Sequence, residues 1–248
     1  MSTEKSAAIV IRQADFSESS RVVTLFTRDF GKVAALAKGA KRLKGPFEAA
    51  LDLLARCEVV FIRKSSSGLD ILTEAHLAQR FHPRPGDLGS LYGGYYVAEL
   101  LDALSEEYDP HPLLFDEAVL TLERLSGDQP LDFSILRFEF VILREIGQLP
   151  ALDVCSNCGE PAGSSGRYGY QVSQGGIICQ NCFGDDAPRY ILSAGAVAAA
   201  RALASEADNV LRSLTASPAQ LREMRSVTNA AIAHTLGRRP KTLRYLPL

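Results

Sequence analysis

Four of the five cysteines fall between residues 155 and 182 as two matched pairs, Cys155-Ser-Asn-Cys158 and Cys179-Gln-Asn-Cys182, with twenty residues between them. Each Cys-x-x-Cys turn brings two thiolates to one point, and two such turns facing each other make a closed tetrahedral set of four sulfurs suited to zinc. Gly159 follows the first pair and Gly184 stands just beyond the second, where a tight knuckle needs backbone freedom. Two disulfides are a competing arrangement, but the N-terminus carries no secretory pattern, and thiols inside a cell stay reduced. A redox dithiol ordinarily comes as a single pair beside a βαβ pattern. Four thiolates also suit an iron–sulfur cluster, and the ligand set alone does not choose between the two.

A site closed by Cys155, Cys158, Cys179 and Cys182 keeps no position open for water or substrate, so the expected cofactor is one structural zinc per chain. The segment Arg167 to Ile178 alternates and turns like a small hairpin. It is too short to bury a core, and a metal would replace the missing contacts.

The net charge of −2 conceals an uneven distribution: 13 Lys+Arg against 9 Asp+Glu in residues 1–80, 4 against 13 in residues 81–150, and 10 against 7 beyond. Two basic ends flank an acidic middle. The apolar run Ala7 to Ile11 is cut off by Arg12 and Asp15, and no later run approaches the length of a membrane span, so a cytoplasmic protein is expected.

Residues 7–81 read as strands: Ala8–Ile11, Val22–Thr27, Lys32–Ala37, Glu58–Ile62 and Leu69–Thr73, separated by turn signals such as Asp29-Phe-Gly31. Five short strands, with nothing parallel expected among them, suggest a small closed barrel of the OB type, and an open sheet with helix cover is the alternative. Between the third and fourth runs lies Lys38-Gly-Ala-Lys-Arg-Leu-Lys-Gly-Pro46. A charge run is commonly a solvated loop, but beside such a barrel it is where an oligonucleotide backbone would pass, with Arg12, Arg21, Arg28, Arg56 and Arg63 as supports.

After His82-Pro-Arg-Pro-Gly86 the apolar period changes to that of helices. One helix runs through Leu91, Tyr95 and Leu104; a second spans Leu113 to Leu125; a third is expected to be capped by Asp132 and closed by Gly147. Tyr92, Tyr95 and Tyr96 could stack bases, but their helical spacing favours packing. Helices resume at Ser193 and at Ser217-Pro218, the latter running to Leu236, and a basic tail follows at Arg238, Arg239, Lys241 and Arg244. The fold class is therefore α+β: an OB-type domain over residues 1–81, then a helical domain over 82–248 with a metal-binding insert at about 151–190. The chain has no phosphate-binding loop and no nucleophile elbow, and His76, His82, His111 and His234 are scattered, so no enzyme is expected. Cys57 reads as a small buried hydrophobe.

In order and spacing, Glu18-Ser-Ser-Arg-Val-Val-Thr-Leu-Phe-Thr27, Phe30-Gly-Lys32, Ala37-Lys-Gly-Ala-Lys41, Leu114-Phe115, Arg137-Phe-Glu139, Gly147-Gln-Leu-Pro150 and Cys155 to Gly159 resemble the RecO family of bacterial recombination mediators, over nearly the full chain. The resemblance implies an OB-fold domain and a helical domain with a zinc knuckle, and no catalytic centre. It implies binding of single- and double-stranded DNA, annealing of complementary strands, association with RecR, and assistance in loading the RecA recombinase onto DNA covered by single-strand binding protein, in the cytoplasm at the nucleoid. The family's DNA-contacting residues match Lys38, Lys41 and Arg42, with Lys44 as neighbour. A zinc-stabilised adaptor that binds proteins without touching DNA is the other functional class.

Overall fold

The computed structural model describes residues 2–42, 47, 50–64, 68–183, 188–205 and 214–247. It divides into two compact units, Met1–Asp128 with Lys241–Leu246, and Gln129–Pro240 with Pro247–Leu248. The first unit thus holds, besides the strands of residues 1–81, two of the helices expected to follow them.

Its strands are β1 (Ser2–Asp15), β2 (Arg21–Thr27), β3 (Gly31–Ala37), β4 (Arg56–Arg63) and β5 (Asp70–Gln79), paired in the closed OB-like order β1-β2-β3-β5-β4. β1 serves two partners: its first half pairs with β4, from Ser2–Arg63 to Ile9–Arg56, and its second half with β2, from Ala8–Thr27 to Asp15–Arg21. A bulge between Val10 and Arg12 gives the bend that lets one strand do both. The closure departs from the sequence expectation, because β3 and β5 pair in parallel through Ala35–Asp70, Leu36–Ile71 and Ala37–Leu72.

Strict alternation builds the core. In β3 Val33, Ala35 and Ala37 point inward, joined by Ala8, Val10, Val23, Leu25, Cys57, Val59, Phe61 and Leu72 from the other strands. The two alanines keep this part of the interior narrow. Cys57 is wholly buried, and burial pushes its thiol up to about 12, which suits a packed side chain and not a nucleophile.

Helix α1 (Leu88–Leu104) starts at Asp87, whose carboxylate accepts the Ser90 amide at 3.1 Å, and α2 (Pro112–Ser126) places its proline at the first turn. Tyr96 is buried, while Tyr92 stacks on Tyr245 of the returning tail at 4.8 Å, so the tyrosine spacing marks packing. The Glu99 carboxylate fixes that tail by accepting the Lys241 amide at 2.7 Å, the Thr242 amide at 2.8 Å and the Thr242 hydroxyl at 2.6 Å.

The second unit contains α3 (Leu131–Glu145), a sheet in the order β7 (Gly176–Cys179), β6 (Arg167–Gln171), β8 (Tyr190–Ser193), the short α4 (Gln180–Phe183), α5 (Ala194–Ala204) and α6 (Pro218–Leu236). α3 begins two residues earlier than a cap at Asp132 would allow: Pro130 occupies the cap position, and Asp132 sits in the first turn, complementing the helix dipole. From Ser134 to Leu143 every residue of α3 is buried, so it is the central helix, packed by α5 and α6. Ser217 and Gln220 form a reciprocal capping box on α6, of the order of 1 kcal/mol. Among the described residues no helix is long and apolar enough to cross a membrane.

Candidate functional site

The four cysteines converge in the second unit. The first knuckle turns through Gly159, whose φ is +74° and whose amide donates to the Cys155 carbonyl at 2.9 Å. The second places Cys179 at the end of β7 and Cys182 on α4. Backbone bonds lace the two together: Ser156 N–H donates to Ile177 O at 2.8 Å, and Ile177 N–H to Ala151 O at 3.0 Å. The approach is so close that a Cβ at Gly176 would lie 2.3 Å from the Ser156 hydroxyl and 3.1 Å from the Ala151 Cβ, so a side chain there would require Ser156 to turn away and Ala151 to give way. Arg201 of α5 steadies the entry, donating twice to Leu152 O, at 2.6 and 3.1 Å, and pairing with the Asp153 carboxylate at 3.0 Å.

The four sulfur atoms all lie within 4.8 Å of one another, and Cys158 and Cys179 approach to 3.8 Å. A tetrahedron with metal–sulfur bonds of about 2.3 Å has edges of about 3.8 Å, so the set fits one ion held by all four. The electrostatics agree. Burial opposes ionisation of Cys155, but amide donation from Cys179, at 3.2 Å from its sulfur, and from Cys158 and Asn157 outweighs it and leaves the thiol at about 6. Cys182, whose thiol is held by hydrogen bonds with the Cys158 and Cys179 sulfurs, is pushed up to about 12. One thiolate is favoured and the last is opposed, a conflict that a divalent cation removes. Gly184 lies outside the described residues.

In the first unit the β1–β2 loop and the start of the β3–β4 loop are clasped. The Lys41 amide donates to Ser19 O at 3.1 Å, and the Lys41 ammonium reaches Asp15 at 2.9 Å. The Arg21 guanidinium bonds the other Asp15 oxygen at 3.2 Å and Gln13 at 3.2 Å. Asp15 is thus held between two cations, the Lys41 ammonium foremost, and its carboxyl is lowered from the usual range. Lys38 and Arg42 are exposed on the same loop. Arg12 is exposed elsewhere on the barrel, 4.0 Å from Asp102, in a groove shared with Thr24, Lys32 and Glu107.

The Recombination protein O N-terminal family model matches residues 1–81, and the C-terminal model matches residues 85–244. The chain belongs to the Recombination protein O family. Relatives named DNA repair protein RecO include one from Rhodopirellula baltica, 36% identical with 97% of each chain covered, and one from Anaeromyxobacter dehalogenans, 34% identical over 99% of this chain and 96% of its own. Another, from Listeria monocytogenes, is 33% identical over 74% of this chain and 70% of its own.

Of the basic residues singled out in this Recombination protein O sequence, Arg21 and Lys41 are brought together, Lys38 and Arg42 adjoin them along one loop, and Arg12 stands apart. Lys44 lies outside the described residues. The further supports are tied up within the unit: Arg28 makes two bonds to Asp116 at 2.8 and 2.9 Å, Arg56 faces Glu123 at 3.9 Å, and Arg63 lies 3.8 Å over the Tyr108 ring. Sequence reasoning missed Asp15, whose role depends on a register that pairs it with Arg21 across the hairpin. It missed Arg201 as well, since a lone arginine in an alanine-rich helix gives no local sign of what it binds.

Proposed function

We propose that the chain is a non-enzymatic DNA repair and recombination mediator. In this reading it binds single- and double-stranded DNA through the OB-like barrel, with Lys38, Lys41, Arg42 and Lys44 as main phosphate contacts and Arg12 and Arg21 as support. It anneals complementary strands, joins RecR and single-strand binding protein, and acts with them in loading RecA, in the cytoplasm at the nucleoid. The observation that carries the reading is the clasp of the β1–β2 and β3–β4 loops, which gathers Arg21, Lys38, Lys41 and Arg42 at one end of a barrel of the kind that takes oligonucleotides. Membership of the Recombination protein O family and the name of its relatives support the repair context. Partner proteins are assigned to the acidic helical segment of residues 87–146, whose charge would repel phosphate.

One zinc, held by Cys155, Cys158, Cys179 and Cys182, is assigned a structural role, supported by the tetrahedral spacing of the sulfurs. The test of DNA binding is a fluorescence-anisotropy titration of labelled single and double strands, without nucleotide, over a range of salt. Binding that weakens linearly in log salt supports the interface. Its absence at low salt would leave the zinc-stabilised adaptor as the better account.

A further inference from the structure

We infer that Phe16 is a base-stacking residue for single-stranded nucleic acid, forming with Arg21 and Lys41 a built subsite at the tip of the β1–β2 loop. The inference rests on the reading of that face as the nucleic-acid interface and adds a contact that reads the base plane.

Among the described residues Phe16 is the most exposed aromatic ring, at 62% of its full accessibility. A single exposed apolar residue needs no explanation by itself. Phe16 differs in how it is held and in what surrounds it. Its amide donates to Ser20 O at 3.0 Å, the Ser17 amide donates to the same carbonyl at 3.2 Å, and the Ser20 amide donates back to the Ser17 hydroxyl at 3.2 Å. The loop is thus a closed turn with the ring directed out of it, and little conformational freedom remains to be lost on binding. Lys41 anchors the turn from outside, its amide on Ser19 O at 3.1 Å and its ammonium 3.4 Å from Ser17 O.

The surroundings select the occupant. On the residue preceding the ring, Asp15, the Arg21 guanidinium and the Lys41 ammonium already grip two carboxylate oxygens at 3.2 and 2.9 Å. A phosphate would share these two cations with Asp15, whose charge offsets part of theirs. An aromatic face beside a phosphate-sized cationic pair matches the nucleotide unit, in which base and phosphate alternate along one strand. Single-strand binders combine these two elements, and in OB-type barrels the β1–β2 loop is one of the places where they occur. A duplex keeps its bases stacked on each other and offers the ring nothing. An acidic peptide would satisfy the cations and leave the phenyl ring in water.

The chain contains no tryptophan, so Phe16→Trp creates a single emitter at the site. Titrating this protein with oligothymidylate and with an abasic strand of equal length separates stacking from charge. The expected result is quenching by oligothymidylate and none by the abasic strand, although both bind. Phe16→Ala and Phe16→Leu should each weaken single-strand binding roughly tenfold, the effect of one stacked base, leaving the salt slope and duplex binding as in the wild type. Binding of oligothymidylate with unchanged emission, or wild-type affinity in Phe16→Ala, overturns the inference and leaves the electrostatic interface standing. A wild-type protein that binds neither strand at low salt overturns both.

Discussion

The amide of Cys179 donates to the sulfur of Cys155 at 3.2 Å, so the second knuckle reaches the first through backbone as well as through any shared ion. Among the described residues of the insert the buried apolar side chains, besides Cys155, are Leu152, Tyr168, Tyr170, Ile177 and Ile178, too few for a core in either half. Elemental analysis of protein purified at neutral pH should find about one zinc per chain. Chelation or Cys158→Ser should lower the melting temperature of the second unit, by an amount matching several kcal/mol. A metal-free protein that melts like the loaded one would refute the structural role.

Asp15 neutralises part of the cationic pair that DNA would use. Asp15→Asn should tighten single-strand binding and steepen the log–log salt dependence by up to about 0.7 for each cation released. Because the two cations lower its carboxyl, protonation requires a pH below the ordinary carboxylate value of about 4, and binding should not increase in this way between pH 5 and 8. Anisotropy titrations at stepped salt and pH measure both effects.

Replacing Lys38, Lys41, Arg42 and Lys44 together by alanine should flatten the salt slope by roughly two to three units, in proportion to the phosphates no longer neutralised. The effect should be alike for every sequence, since phosphate contacts do not read bases. Strand annealing should fall with it. The melting temperature should stay nearly unchanged, as exposed charges contribute little to folding. An unaltered slope would move the DNA path to the basic residues Arg238, Arg239, Lys241 and Arg244.

Two glycines with the same backbone twist should respond very differently to alanine. At Gly31, φ +67°, an added Cβ would lie 2.1 Å from the Asp109 carbonyl oxygen; at Gly175, φ +64°, it would meet nothing within 4 Å. Gly175→Ala should cost about 1 kcal/mol for the left-handed backbone alone. Gly31→Ala should cost several times that, because backbone must move. Denaturant melts of the two variants give the comparison.

Much of this was legible from local chemistry. The cysteine spacing located the cluster, alternation located five strands, and Ser193 and Ser217-Pro218 located two helix starts, because each of these signals lies within a few residues. The failures are long-range or very short, with one local exception at the start of α3. Parallel pairing of β3 with β5 involves three residue pairs with no turn joining them. β8 is four residues long, too brief for a period to register. Asp132 looked like a cap because its type suits one, but the fixed φ of Pro130 starts the helix first. The stacking of Tyr92 on Tyr245 joins residues from distant parts of the chain, which no window contains.

The parallel ladder between β3 and β5 has the fewest rungs of the five that close the barrel, so it is the seam along which the cylinder parts most easily. Tyr108 stitches it. Its backbone amide donates to Lys32 O on β3 at 3.1 Å, its hydroxyl bonds the Asp70 carboxylate at the head of β5, and the Arg63 guanidinium covers its ring. The thread therefore comes from outside the cloth: a residue beyond the first helix, held at φ +60°, keeps shut a barrel whose own strands end before residue 80. A fragment cut at the last strand would keep every hairpin and lose its clasp, so the barrel's integrity belongs to a longer stretch of chain than the strands themselves occupy.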